Sequence, residues 1–312
     1  MMIRKTDTIY IAGHNGMVGS ACLRALKSEG YTNIIGLSSK ELDLRDQKAV
    51  EAFIQKANPV AIIDAAAKVG GILANDSYPY EFLMDNLLIQ NNLIRSAHEN
   101  GVGKFIFLGS SCIYPKFAPQ PIREDYLLTN SLEPTNEWYA IAKISGLKLI
   151  EAIRKEFGSD YVALMPTNLY GPNDNFDLKL SHVLPAMIKK FHEAKLNGNT
   201  PVMLWGTGSP MREFLHVDDL AQAVLFSLEN KLEDHLYNIG SGHEITIKGL
   251  ADLVQEIIGH SGKVVWDTTK PDGTPRKLLD ISKIQAQGWN PKISLKSGIQ
   301  EVYKWYKLSL SN

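Results

Sequence analysis

Residues 13–19 read Gly-His-Asn-Gly-Met-Val-Gly. They join a short apolar run at residues 8–12 to a stretch, 17–27, whose Val18, Cys22, Ala25 and Leu26 recur at helical spacing. Strand, glycine turn and helix in that order strongly constrain the fold. Glycine adopts positive φ freely and lets the backbone approach a pyrophosphate, while the first N–H groups of the helix point toward it. Such a turn can also be no more than a tight connection. Its place after an N-terminal strand and before a helix predicts a dinucleotide site made by Gly13, His14, Asn15, Gly16, Met17, Val18 and Gly19.

The same alternation continues. Strand-like runs at 33–37, 61–67, 104–109 and 161–165 are separated by helix-period segments near 47–57, 78–99 and 137–157. This predicts an α/β fold with a doubly wound, Rossmann-like parallel sheet, whose right-handed crossovers gather the strand-end loops on one edge. Beyond Pro166 the chain is richer in Asn, Gly, Pro and Asp, and its elements shorten. A helix at 216–229 and a strand at 236–239 return to the first sheet. The reading is a dinucleotide-binding domain of 1–167 plus about 213–240 and a smaller C-terminal substrate-binding lobe of about 168–212 and 241–312.

Lys and Arg total 33 against 34 for Asp and Glu, so no overall field favours a nucleic acid and any phosphate site must be local. The first residues lack an apolar leader, and no run approaches the length of a membrane span. A cytoplasmic location without membrane partners is expected. The two cysteines, Cys22 and Cys112, have neither disulfide-framework nor zinc spacing. Both are expected to be free thiols, and no metal is expected.

The second strand ends in Ser38-Ser39-Lys40, with no acid at its tip. A carboxylate there favours NAD, whereas a cation and hydroxyls favour the 2′-phosphate of NADP, so NADP(H) is expected. The alternative for Lys40 is an ordinary solvated lysine. Asp43 and Leu44 are expected near adenine.

Tyr139 and Lys143 stand four residues apart in a helix-period segment, about 6 Å along the axis and on one face. A phenol ionises near pH 10, and a neighbouring ammonium eases proton exchange nearer neutrality. Residues 104–109 form a strand that delivers Ser110, Ser111 and Cys112 to the expected cofactor edge. A Ser–Tyr–Lys set in this order after an N-terminal glycine turn is the signature of the short-chain dehydrogenase/reductases.

Five longer segments narrow the resemblance: AAAKVGGI (65–72), GSSCIYP (109–115), MPTNLYGP (165–172), MREFLHVDD (211–219) and KPDGTPRKLLD (270–280). In these the chain resembles the GDP-L-fucose synthases, a family of extended short-chain dehydrogenase/reductases, almost end to end. The resemblance implies epimerisation at C3 and C5 of GDP-4-keto-6-deoxy-D-mannose, followed by NADPH-dependent reduction at C4, in a homodimer. It implies Ser110, Tyr139 and Lys143 as the reductase triad, and Cys112 and His182 as the epimerisation pair. Further cofactor contacts implied are Ser39, Lys40, Leu42, Asp43, Leu44, Ala66, Ala67, Asn86, Leu108, Gly109, Ser111, Pro166, Thr167, Asn168, Leu169 and His182. Substrate contacts implied are Asn168, Lys190, Trp205, Arg212 and Asp272, with the loop 270–276 contributing. Asn15 and Ser39 stand where family members often carry arginine, which removes potential 2′-phosphate contacts; Lys190 also replaces a common arginine, and Trp138 a usual proline.

The residue types suit that chemistry. A 4-keto group acidifies the protons on C3 and C5, and inversion needs a base on one face of the ring and an acid on the other. A thiolate of lowered pKa and an imidazolium are the expected pair. Without the flanking motifs, Cys112 reads as a small buried hydrophobe, His182 as a surface residue and Trp205 as core. Cys22 reads as core, and His14 as packing within the turn. The competing functions are a sugar-nucleotide 4-epimerase or 4,6-dehydratase, which needs no Cys–His pair, and a non-catalytic dinucleotide sensor, which needs no Tyr139.

Overall fold

The computed structural model describes residues 3–178, 181–270 and 272–311, and only the backbone of 72 and 73. Strand β1 (Ile9–Ala12) leads through the glycine turn into α1 (Met17–Ser28), then β2 (Ile34–Ile35), α2 (Gln47–Ala57) and β3 (Ala61–Asp64). Helices α3 (Ile72–Ser77) and α4 (Pro79–Glu99), strand β4 (Lys104–Leu108), helix α5 (Glu137–Phe157) and strand β5 (Asp160–Pro166) follow. The chain next builds β6 (Asn168–Tyr170), α6 (Val183–Leu196), β7 (Val202–Trp205) and β8 (Met211–His216). It returns through α7 (Val217–Glu229) and β9 (Leu236–Ile239) before β10 (Glu244–Thr246), α8 (Ile247–Ile258), β11 (Val264–Asp267), β12 (Arg276–Lys277), α9 (Ser282–Ala286) and α10 (Leu295–Ser309).

Six parallel strands form the main sheet in the order β2-β1-β3-β4-β5-β9. The expected doubly wound sheet is therefore present, and β9 adds the strand anticipated at 236–239. Strands β1, β3 and β4 are buried along their whole length, as strands covered by helices on both faces must be, which explains their unbroken apolar runs. The order reverses between β1 and β3, so their carboxyl ends open a crevice there.

A second body carries its own core, in which Tyr170, Leu184, Ile188, Phe191, Leu250, Val254, Ile299 and Val302 are buried together. Its framework is β8, paired antiparallel with β10 and parallel with β12 and β6, beside the two-stranded β7–β11 sheet. Because β6 leaves β5 directly and β8 runs straight into α7, this body hangs from the C-terminal edge of the main sheet.

Candidate active site

Gly13 lies at φ +76°, and a Cβ there would fall 2.8 Å from the Ala65 carbonyl oxygen. A Cβ on Gly19 would come within 2.2 Å of the Gly13 oxygen, so the turn can close against α1 only if both are glycine. The turn and the loop after β3 thus meet at the crevice. Helix α2 has an Asp46 side chain capping the Lys48 and Ala49 N–H groups, but Gly16 caps α1 with no side chain at all. The leading N–H groups of α1 are left for a ligand, which is the cradle a pyrophosphate fits. His14 packs its ring on Gly36, where a Cβ would be 2.3 Å from the imidazole, and Asn15 faces solvent.

At the tip of β2 the Ser38 N–H and hydroxyl both donate to Glu41, at 2.8 and 2.7 Å. Ser39 and Lys40 are exposed, and Leu42 is buried beneath them. Asp43 is held by Arg45 and pulled down to about 2. Asn92 anchors the Leu44 carbonyl at 2.9 Å. Asn86 is buried, with its amide spent on the Lys68 backbone and the Phe82 carbonyl, so it shapes the loop bearing Ala66 and Ala67.

Strand β4 ends at Leu108, and Gly109 is fitted so tightly that a Cβ would collide with Met165. Ser110 then caps a single 3-10 turn that carries Ser111 and Cys112, accepting the Cys112 N–H at 3.3 Å. Tyr139 and Lys143 come from α5, held over this turn by the Gln90 amide, which donates to the Ala142 carbonyl at 2.5 Å. The Lys143 ammonium is buried; it donates to the Leu108 carbonyl at 2.9 Å and lies 5.9 Å from the Tyr139 ring. Tyr139, Cys112, Lys143 and the buried Asp64 are close enough to perturb one another electrostatically.

Pro166 and Thr167 close β5, the Thr167 N–H donating to Ile239 at 3.0 Å, and Leu169 packs on the main core. Asn168 donates to the Glu213 carbonyl at 2.8 Å. His182 is an exposed residue at the N-cap of α6. Farther out, Trp205 is 58% exposed, which removes the core reading, and Lys270 sits 5.7 Å above its ring. Lys190 donates to the Met203 carbonyl at 3.0 Å, Arg212 to the Met211 carbonyl at 2.8 Å, and Asp272 accepts from the Thr207 N–H and hydroxyl. Pro271 of the 270–276 loop, and Lys179 and Leu180 ahead of His182, lie outside the described residues.

The NAD dependent epimerase/dehydratase family model matches residues 9–240. GDP-L-fucose synthase 1 of Arabidopsis thaliana is 58% identical, with all of this chain and 96% of that protein aligned. The GDP-L-fucose synthase of Escherichia coli K12 is 48% identical over 96% of each. A GDP-L-fucose synthetase from Naegleria fowleri, solved with NADP bound, superposes with a TM-score of 0.92 at 28% identity, covering 100% of this chain and 96% of that one. The chain belongs to the GDP-L-fucose synthase family.

For a GDP-L-fucose synthase fold, three electrostatic expectations require correction. Burial pushes the Cys112 thiol up rather than down, outweighing the pull of Lys277, Ser110 and Lys143. Desolvation also lowers His182, exposed though the residue is at the surface, and so favours neutral imidazole. The resting pair is thus thiol and imidazole, the proton tautomer of the expected thiolate and imidazolium. The Tyr139 phenol is raised by burial and by the neighbouring Cys112 and Asp64 charges, and Lys143, itself lowered by burial, does not offset this. The physical reason is common to all three: a closed site disfavours whichever form carries charge.

Two titratable residues that bear on Lys143 and Cys112 electrostatically escaped the sequence reading. Asp64 ends the apolar run of β3 at 0% exposure, and Lys277 follows the 270–276 loop. A lone acid closing an AIID strand was the available signal for the first. Asp64 accepts the Ala66 N–H at 3.1 Å, while its second oxygen has no partner, and burial pushes it up to about 6 against the pull of Lys143. Raised above the ordinary carboxyl value, it stabilises the fold only in its protonated state. That stability is complete below about pH 4 and is lost as pH rises through about 6. Asp64→Asn should therefore raise the melting temperature near pH 7 by several degrees and change it little near pH 4; thermal unfolding at the two pH values checks this.

Proposed function

We propose that this chain converts GDP-4-keto-6-deoxy-D-mannose to GDP-L-fucose by 3,5-epimerisation and NADPH-dependent reduction at C4. The observation that carries the reading is the joint presence, at one sheet edge, of Ser110, Cys112, Tyr139 and Lys143 beside a glycine cradle, in a chain that aligns end to end with GDP-L-fucose synthases. The division of labour is part of the proposal: cofactor in 1–167 with about 213–240, substrate in about 168–212 and 241–312.

The glycine turn with the open start of α1 would hold the pyrophosphate, and the exposed Ser39 and Lys40 the 2′-phosphate, with Lys143 at the nicotinamide ribose. Bound NADPH supplies the hydride that C4 accepts. For epimerisation, Cys112 first gives its thiol proton to water, and the thiolate takes a proton from the carbon next to the ketone: the C–H bond breaks, an S–H bond forms, and the electron pair moves onto O4 as an enolate. His182, once protonated from water, gives that proton to the opposite face of the carbon, inverting the centre, and the same ketone serves C3 and C5 in turn. At C4 the raised pKa of Tyr139 keeps it a phenol, ready to protonate the oxygen as hydride arrives. Ser110 orients that oxygen, and Lys143 stabilises the tyrosinate left behind. Trp205 offers a stacking face to guanine or ribose, Arg212 and Lys190 bring charge to the diphosphate, and Asn168 and Asp272 complete the substrate contacts.

A homodimer is the expected assembly, with Met84 and Leu88 on α4 and Trp138 and Ile141 on α5 exposed in the single chain. No helix among the described residues is long and apolar enough to cross a membrane; a cytoplasmic location is part of the proposal. Incubation with the keto sugar nucleotide and NADPH should consume reduced nicotinamide; a 4-epimerase or dehydratase would consume none on that substrate, and a sensor would only bind the cofactor.

Coenzyme choice gives a smaller prediction. Lys40 is the exposed cation at the β2 tip, and Asn15 adds no charge. NADPH should outperform NADH, and Lys40→Ala should narrow the ratio of kcat/KM values about fivefold, as suits an exposed ion pair of about 1 kcal/mol. Comparison of the two coenzymes at fixed ionic strength checks this, and a preference for NADH in the unmodified chain would overturn the reading.

A further inference from the structure

Phe107 is the fourth residue of β4, and its partners in register are Asp64 on β3 and Ala163 on β5. Partners in register share a sheet face, so the three side chains form one row. Helix α5 lies on that row. A Cβ on Gly146 would fall 2.7 Å from the Phe107 ring and 2.9 Å from the Gln90 side chain, so glycine is what lets the helix approach this closely. Tyr139, Lys143 and Gly146 follow at helical spacing and occupy one face of α5. Gln90 fixes the helix through its bond to the Ala142 carbonyl, and in doing so leaves its own Oε1 buried with no partner among the described residues.

This packing brings the Lys143 ammonium down onto the row. It lies 4.7 Å from the centre of the Phe107 ring and donates to the Leu108 carbonyl at 2.9 Å. Lys143 is 2% exposed and Phe107 0%. Among the described residues the ammonium's contacts are that neutral carbonyl and the rings of Phe107 and Tyr139, the latter at 5.9 Å, with no carboxylate at ion-pair distance. The charged and titratable groups that face it are Asp64 from β3, Cys112 from the turn after β4 and Tyr139 from its own helix. A cation over an aromatic face is attracted by the ring quadrupole, most strongly where both are removed from water. A carboxylate in contact would hold the ammonium too, but would cancel its field at the neighbouring phenol. The ring holds it and leaves the field in place.

We propose that Phe107 is a positioning residue for the C4 reduction: its ring is the seat of the Lys143 ammonium, keeping that desolvated cation charged and beside Tyr139 with no carboxylate in contact. The proposal rests on the reading of Tyr139 and Lys143 as the reductase pair.

Fluorination of the ring tests this with little repacking, because each fluorine draws charge from the ring face and adds little volume. Phe107 is replaced in turn by mono-, di- and trifluorinated phenylalanine in the full-length enzyme. Lysine side chains labelled with carbon-13 are titrated by NMR, the Lys143 signal being the one lost in Lys143→Met. The ring favours the charged form of Lys143, so weakening it should lower the midpoint with each fluorine, by about one unit over the series. The second readout is hydride transfer, followed by stopped-flow oxidation of NADPH and of its deuterated form. Burial lowers Lys143 and raises Tyr139, so the alkaline limb of the C4 reduction belongs to Lys143. That limb should move down in the same order, leaving the trifluorinated enzyme about tenfold slower than the unmodified one at a fixed pH on the limb. Melting temperatures should stay together along the series.

A Lys143 midpoint that stays in place, or an alkaline limb that does not follow it, overturns the proposal. A loss of rate that tracks melting temperature rather than the number of fluorines overturns it as well, and returns Phe107 to a purely packing role. Failure of the parent reading looks different: Lys143→Met would then transfer hydride at the unmodified rate and bind NADPH as well as before, whatever the fluorinated series shows.

Discussion

Replacing Tyr139 with phenylalanine is expected to lower C4 reduction by about 10²–10⁴-fold, the range that a positioned proton donor contributes. The fold should survive, because the ring stays and the hydroxyl makes no hydrogen bond among the described residues. Cofactor binding should survive too, since the glycine turn and Lys143 are untouched. Epimerisation needs the ketone and a base but no hydride, so Tyr139→Phe should still exchange solvent deuterium into C3 and C5 while oxidising almost no NADPH. Lys143→Met should fail differently and weaken cofactor binding as well. Stopped-flow absorbance of the reduced nicotinamide, paired with proton NMR of the sugar, separates these outcomes. Full turnover by Tyr139→Phe would remove the phenol from the mechanism.

Cys112→Ala is expected to produce the complementary defect, a loss of C3 and C5 exchange of about 10²–10⁴-fold with the reductase groups intact. Such a variant should slowly reduce unepimerised substrate to GDP-6-deoxy-hexoses of the D series. His182→Asn should abort the second protonation, and with it inversion. Burial holds the Cys112 thiol above its ordinary range, so exchange by the unmodified enzyme should rise with pH as the thiolate forms, with no loss in the mildly alkaline region. A thiol already ionised at neutral pH would instead give a flat profile there. Exchange at the unmodified rate in Cys112→Ala would return this residue to its reading as a small buried side chain.

The parallel sheet was legible because its strands are buried on both faces and so read as unbroken apolar runs, 104–108 and 161–165 among them. Helix α5 spans the anticipated 137–157, and its Tyr–Lys pair falls on the face toward the β4 turn. The short elements of the second body were less legible. Strand β12 is two residues long, and its position comes from hydrogen bonds to Gln120, Ile122 and Glu213, partners far away in sequence. Lys277 was therefore readable as part of a motif but not as the residue in register with Arg212 on β8. The direction of the pKa shifts was also beyond the sequence. Residue type says that a thiol and an imidazole titrate near neutrality, but how far each is desolvated depends on the packing of several elements around the cleft. Asp64 shows the same limit: β3 lies between β1 and β4 inside the sheet, and the complete burial of its last side chain is set by what packs over the sheet.

The central claim is that one site both inverts two carbons and reduces a third. Turnover of GDP-4-keto-6-deoxy-D-mannose with NADPH in deuterated water, followed by NMR and mass analysis of the sugar nucleotide, tests this most directly. The predicted result is stoichiometric NADPH oxidation and GDP-L-fucose labelled with deuterium at both C3 and C5. A reduced product of the D series without deuterium at either carbon, or label entering with no NADPH consumed, would contradict it.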